Sequence, residues 1–407
     1  MKRITLISSY YYPEDTAIGL YNTQLVDYLQ SKGYTVNVIT GFPSYPQWKI
    51  FDSYKKEKTF FFEELEKAKI YRYKQYVPSK PTFFKRILLI IDFTIGSIIN
   101  VFKIKHCDIV ICVVPQTSTI ILSFILKLRT KAKLWCHVQD FEFDAAEQAG
   151  LSPKENVFKS VIFKFLFQIE RVLLKLPDIN STISYSMLKK LKGKSNKEAF
   201  YFPNWIDAFK IDPLKSTQHP FMTSQKFKIL YSGNIGEKQD WEFFLLFAKM
   251  LENHNAEIIL VGDGAKKGWL LEKTKDLKNV QHFEPVEYKY LSNLLCSADL
   301  HILFQKKEVV DSVMPSKLLG MMASAKPSLV TGSSKSEVKT IIEDAHGGFY
   351  VSNDVLKESI LIIESLMSSP QKSQTLGDNA RTYIVSKFSK QKVLSTFESK
   401  LQEVIEL

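Results

Sequence analysis

Residues 4–40 hold a short apolar run, a glycine-containing loop, a helical pattern and a second apolar run, and that order admits few folds. The first run is Ile4-Thr5-Leu6-Ile7-Ser8. The loop Tyr10–Gly19 follows. Leu20, Leu25, Tyr28 and Leu29 then recur at helical spacing up to Lys32-Gly33, where glycine ends a helix. Tyr34 to Thr40 reads as a second strand. A strand, a helix and a strand in so short a span form a crossover unit, and such units build parallel sheets.

The rhythm continues. Asp108 to Val114 reads as a buried strand, continuous in apolar residues as parallel sheets require, and Ala132 to Val138 reads as another strand. Phe200 to Asp207 reads as a last strand leaving this half. A polar stretch with Pro213 and Pro220 then reads as a linker. After it the rhythm restarts: strands at Phe227–Ser232, Glu257–Val261, Leu300–Phe304 and Lys326–Thr331, a helix over Asp240–Asn253, and a final helix over Lys390–Leu407. The reading is α/β: two doubly wound Rossmann-like domains facing a cleft. They span residues 1–205 and 227–389, with 206–226 as linker and helix 390–407 packing back on the first domain. A chain of 407 residues suits two hydrophobic cores better than one.

The charge is one-sided. Residues 1–205 carry 30 Lys and Arg against 18 Asp and Glu, which accounts for the whole net charge of +12, and the remainder balances. Nucleic acid, an anionic membrane surface, an acidic acceptor or plain solubilising charge each fit that excess. No basic-aromatic motif supports nucleic acid. The apolar stretches Phe83–Phe102 and Val157–Phe167 lie in this basic half, with Lys85, Arg86, Lys103, Lys105, Arg171 and Lys175 around them. Both fall short of the ~20 apolar residues that span a bilayer. They fit helices in a membrane interface, or helices facing the core. The run after Met1-Lys2-Arg3 is too short for a signal-peptide core and reads as a buried strand. Cys107, Cys112, Cys136 and Cys296 have no metal-type spacing and read as buried thiols of a reducing compartment.

In doubly wound sheets, ligands bind beyond the carboxyl ends of the strands, so the loops there matter most. Tyr231-Ser232-Gly233-Asn234-Ile235-Gly236, with Lys238 beyond it, lets backbone amides approach a phosphate, or is simply a tight turn. Gly262-Asp263-Gly264 is a turn first and a ligand loop second. Pro315, Ser316 and Lys317 open a helix, so free amides, a hydroxyl and an ammonium converge on one point, unless Lys317 is a solvated surface lysine. His137, Gln139 and Asp140 end a strand, where they could bind sugar hydroxyls or move a proton; a lone histidine is also often structural. No Asp-x-Asp pair, Walker loop, His-Glu-x-x-His or Gly-x-Ser-x-Gly occurs, and the first loop lacks the three-glycine dinucleotide fingerprint.

Together these segments resemble glycosyltransferase family 4, and within it the colanic-acid and N-acetylfucosamine transferases of bacterial surface polysaccharides. The resemblance rests on Tyr11-Tyr-Pro-Glu14 with Ile18-Gly19, Thr40 to Trp48, His137 to Ala146, Pro203 to Asp207, Tyr231 to Lys238 and Pro315 to Leu318. It implies the GT-B fold, retention at the anomeric carbon, no metal and no cofactor beyond a UDP- or GDP-sugar donor. It implies donor contacts at Gly19, Gly233, Asn234, Gly236, Lys238, Gly262 and Val286, and at Asp311, Ser312, Pro315, Ser316, Lys317 and Leu318. It also implies acceptor contacts at Tyr12, Glu14, Ile18, Tyr45 and Trp48, and catalytic work by His137, Gln139, Asp140, Lys238 and Lys317. The acceptor implied is a saccharide on a polyprenyl diphosphate. The place implied is the cytoplasmic face of the plasma membrane, with capsule, O-antigen or exopolysaccharide as product.

One departure stands out. Much of the family carries two glutamates eight positions apart near the donor sugar; aligned on Lys326-Pro327, those places hold Ser312 and Gly320. A sugar-nucleotide 2-epimerase of the same fold and a non-catalytic sugar- or membrane-binding homologue are the rival readings.

Overall fold

The structure is a computed structural model and describes every residue except Met1, Thr16, Lys67, Pro81, 147–156, 309–315, Asp354 and Leu407. The chain forms two compact units, Met1–Pro203 with Leu394–Leu407, and Asn204–Val393.

In the first unit the strands are β1 (Arg3–Ile7), β2 (Thr35–Gly41), β3 (Phe60–Leu65), β4 (Ala68–Tyr73), β5 (Ile109–Val114), β6 (Lys133–Val138), β7 (Ile179–Thr182) and β8 (Ala199–Tyr201). Its helices are α1 (Ala17–Ser31), α2 (Phe83–Lys103), α3 (Thr119–Thr130), α4 (Glu142–Ala146), α5 (Val157–Leu173) and α6 (Tyr185–Ser195). The sheet runs β3-β4-β2-β1-β5-β6-β7-β8, parallel except where β3 meets β4. Ile4 pairs with Val36 on one side and Ile109 on the other. The chain therefore winds outward from β1 in both directions, and the topological switch lies between β1 and β5. Every residue of β5 is buried, as its apolar run requires.

The second unit holds β9 (Phe227–Ser232), β10 (Ala256–Val261), β11 (Val280–Phe283), β12 (Leu300–Phe304), β13 (Ser328–Thr331) and β14 (Gly348–Val351). Between them run α7 (Trp241–Met250), α8 (Lys267–Thr274), α9 (Leu291–Cys296), α10 (Ser316–Ala323) and α11 (Glu337–Ala345), followed by α12 (Leu356–Ser368) and α13 (Pro370–Phe388). The wholly parallel sheet is ordered β11-β10-β9-β12-β13-β14, so its switch lies between β9 and β12. The last helix, α14 (Lys390–Glu406), carries the chain back to the first unit. There Phe397 stacks on Phe202 at 4.4 Å and lies 4.8 Å from Trp135.

Two expected elements differ. The strand expected over Phe200–Asp207 ends at Tyr201, because Pro203 has no N–H for a ladder. The stretch 206–226 belongs to the second unit and is pinned to it. Asp212 N–H donates to Ser292 Oγ at 3.1 Å, His219 N–H donates to Ser297 Oγ at 2.9 Å, and Ile211 and Met222 are buried.

Candidate functional site

Beyond the carboxyl ends of the second unit's strands, beside its switch point, the loop after β9 meets the loop after β10. Gly233 has φ +137° and Gly264 φ +154°, values that L side chains rarely adopt. A Cβ on Gly262 would fall 2.0 Å from the Gly233 carbonyl oxygen, and one on Gly264 would fall 2.4 Å from Asn234 Oδ1. The two loops thus lie backbone against backbone, which only glycine permits. Ile235 N–H closes the contact on Asp263 O at 2.8 Å. Asn234 is exposed, Gly236 is buried, and Val286, in the loop after β11, is half-buried.

Lys317 stands over this loop. It lies in the first turn of α10, half-buried, and its Nζ is the nearest heavy atom to a notional Cβ on Gly233, at 3.1 Å. The ammonium donates to the Tyr231 hydroxyl at 2.8 Å and sits 4.3 Å from that ring's centroid. Tyr231 in turn donates to Asn234 O at 2.6 Å. Burial lowers the Lys317 ammonium to about 7. No charged neighbour acts on it, so among the described residues it is a cation without a carboxylate. Lys238 is half-buried and donates to no described carboxylate. Leu318 is fully buried and anchors the helix. Gly320 faces the core, its notional Cβ 3.2 Å from Leu295. Asp311, Ser312 and Pro315 lie outside the described residues, and Ser316 is described only as the start of α10.

The first unit gathers its candidates at the switch between β1 and β5. Glu14 is 2% exposed, and its Oε1 accepts N–H bonds from Ser44 and Tyr45, both at 2.8 Å. Burial pushes its carboxyl up to about 7 although those bonds favour the charged form. Gly19 is there because Glu14 is: a Cβ would lie 2.6 Å from Glu14 O. Fully buried Arg72 ties the loops together, donating to Glu63, to Tyr12 O and, at 3.0 Å, to Gly41 O. Ile18 is half-buried, and Tyr12 and Tyr45 are exposed aromatics. Trp48 is half-buried at φ +53° beneath the Arg86 guanidinium, 5.2 Å away.

His137 lies inside this unit rather than on its surface. Gln139 Nε2 donates to His137 Nε2 at 3.0 Å, so Nδ1 carries the proton to Ser181 Oγ at 2.9 Å. Burial lowers its pKa to about 3, so the imidazole is neutral. Asp140 is half-buried just past β6. Two further residues escaped the sequence reading. Glu142 accepts the Thr117 N–H at 2.8 Å, and burial raises its carboxyl to about 7. Gln116, 4% exposed, follows β5. Glu142 sits two residues past Asp140 in a segment already singled out, and that proximity was its only signal. Among the described residues no group of His, Cys, Asp and Glu could hold a metal ion.

Two parallel-sheet units of this topology define the GT-B class of glycosyltransferase folds. Sucrose-phosphate synthase from Thermosynechococcus elongatus superposes with a TM-score of 0.76 at 12% identity, covering 100% of both chains. Anabaena Alr3699/HepE in complex with UDP superposes with a TM-score of 0.69 at 12% identity, covering 99% of this chain and 100% of that one. Residues 216–383 match the family described as Glycosyl transferases group 1. A putative colanic acid biosynthesis glycosyl transferase, WcaI, of Escherichia coli (strain K12) is 31% identical over 95% of this chain and 96% of its own. The chain belongs to that family of glycosyltransferases.

Proposed function

We propose that the chain is a metal-independent, retaining transferase. In this reading it moves a sugar from a UDP- or GDP-sugar to a saccharide on a polyprenyl diphosphate, in the synthesis of a bacterial surface polysaccharide. One observation carries this: the Lys317 ammonium, without a counter-charge among the described residues, stands over the glycine loops after β9 and β10. Buried cations persist when paired, and a diphosphate supplies the missing partner. Lys317, Lys238 and the amides at the start of α10 then stabilise the leaving diphosphate, work that a metal does elsewhere. The acceptor hydroxyl attacks on the face the diphosphate leaves, and the diphosphate takes its proton. His137 holds Gln139 in place beside the acceptor loops. The names of the Escherichia coli relative and of the UDP-bound Anabaena neighbour support the substrate class. The test is nucleotide release from UDP- and GDP-sugars mixed with membrane extract. Release that survives Lys317→Ala at the wild-type rate would refute the assignment.

The cytoplasmic membrane face is part of the same proposal. Phe84, Leu88, Ile91, Ile95, Ile99 and Phe102 of α2 are each 49–63% exposed and recur at helical spacing. The opposite side of α2 buries Phe93, Ser97 and Val101 completely. Lys85, Arg86 and Lys103 flank the stripe, and Arg129 lies 4.4 Å from the Phe102 ring. An apolar stripe edged by cations suits an anionic lipid surface. Among the described residues no helix is long and apolar enough to cross a membrane.

A further inference from the structure

The loop after β9 ties up most of its own amides within the second unit. Gly233 N–H donates to Val261 O at 2.9 Å, Ile235 N–H to Asp263 O at 2.8 Å and Gly236 N–H to Gln239 Oε1 at 3.1 Å. Three of the four amides from Gly233 to Gly236 are therefore engaged, and an anion at this loop draws its charge from a side chain. Lys317 supplies that charge, and its placement is the difficulty: a lysine is a point charge on a flexible four-carbon stem. Tyr231, 1% exposed near the end of β9, settles the placement. Its hydroxyl holds a single proton, which goes to Asn234 O at 2.6 Å. The remaining lone pairs accept the Lys317 Nζ–H at 2.8 Å, and the ring centroid lies 4.3 Å from the same nitrogen. Trp241 supports the ring, edge-on at 5.1 Å, and its Nε1–H donates to Gly236 O at 2.8 Å. Each of these aromatic residues thus grips a carbonyl of the loop, and Tyr231 grips the lysine as well.

We propose that Tyr231 is a positioning residue of the donor site. Through one hydroxyl it fixes the Lys317 ammonium and the glycine loop in a common frame, with Trp241 as its buttress. The ammonium then meets the phosphates of a nucleotide diphosphate without a search over rotamers, and it is already in place as charge develops on the leaving group. A side chain kept for packing alone needs neither hydrogen bond, since phenylalanine has the same shape. The identity of the ligand rests on the transferase reading; the brace rests on hydrogen bonds within the second unit.

The experiment is a double-substitution cycle on the full chain. Calorimetry of UDP, GDP and inorganic diphosphate is run at pH 6, where Lys317 carries its proton, with an unfolding midpoint for each variant. Tyr231→Phe keeps the ring and its contact with Trp241. It should weaken the tightest of the three probes roughly fivefold, as the loss of one hydrogen bond does. In the Lys317→Met background the same change should cost less than about twofold, because no ammonium is left to place. A residue that only packs costs the same affinity in both backgrounds, so equal losses overturn the proposal, as does unaltered binding in Tyr231→Phe. Tyr231→Met also lacks the hydroxyl and serves if the phenylalanine variant does not fold; a chain that folds with neither places Tyr231 in the core alone and overturns the proposal too. UDP or GDP binding without this coupling sinks the brace and leaves the transferase reading standing. Coupling with inorganic diphosphate, in a chain that binds neither nucleotide, does the reverse.

Discussion

Lys317 Nζ donates to the Tyr231 hydroxyl at 2.8 Å, and among the described residues no carboxylate shares the ammonium. Free, it titrates at about 7, against about 10.4 for an ordinary lysine. A bound diphosphate favours the charged form and raises that value again. Above pH 7 the free protein is mostly neutral at Lys317, so nucleotide binding must take up a proton. Calorimetry of UDP and GDP binding in buffers of different ionisation enthalpy should show uptake approaching one proton at pH 8 and little at pH 6. Equal uptake at both pH values would mean that Lys317 does not meet the diphosphate.

Removing the ammonium should show in affinity. A charge-assisted hydrogen bond contributes about 1.5–3 kcal/mol, so Lys317→Met should weaken UDP binding roughly ten- to hundredfold. Lys238→Ala should lower turnover with a smaller effect on ground-state affinity, since Lys238 stands farther along the loop. Unaltered kinetics in Lys238→Ala would remove it from the site.

Gly262 carries its own constraint. With Gly233 O at 2.0 Å from the position of a new methyl group, Gly262→Ala must push the two loops apart. Overpacking of this kind costs about 1–3 kcal/mol. The variant should unfold at lower denaturant and bind UDP more weakly; normal stability would mean that the loops yield freely.

The parallel core was legible because burial on both faces writes itself as apolar runs, unbroken in Ile109–Val114 and interrupted only by His301 in Leu300–Phe304. The β3–β4 hairpin was not. Phe60–Leu65 mixes aromatics with Glu63 and Glu64, and its turn places Glu66 at φ +55° where glycine or asparagine usually signals. Gly233, Gly262 and Lys317 announced themselves as glycines and a lysine at strand and helix ends. Gln116, Glu142 and the character of Glu14 did not, because a glutamine and two glutamates look solvated in a sequence. Only the loops folded over them make one a buried donor and the others near-neutral acids.

Those acids make stability depend on pH. In the unfolded chain Glu14 titrates near 4.5, and in the fold at about 7. Its folded-state value is raised, so its favourable contribution is complete below pH 4.5 and is lost as pH climbs through 7. At about 1.4 kcal/mol per unit, Glu14 alone takes away about 2–3 kcal/mol between pH 5 and pH 8. Glu142 acts in the same direction. Urea unfolding at pH 5 and pH 8 should therefore show wild type losing more stability than Glu14→Gln across that interval. Parallel losses would place the titration elsewhere.

The α2 stripe predicts a change in partition without a change in fold. Ile95 is 63% exposed and Ile99 51%, so Ile95→Glu with Ile99→Glu should alter unfolding by under about 0.5 kcal/mol, as surface substitutions do. In a lipid interface those side chains leave water, and two carboxylates there also face anionic headgroups. Co-sedimentation with vesicles of mixed phosphatidylglycerol and phosphatidylethanolamine should fall at least tenfold in the double variant. In wild type it should weaken as salt screens the flanking lysines. Binding that ignores both the substitutions and the salt would place any membrane contact on another face of the chain.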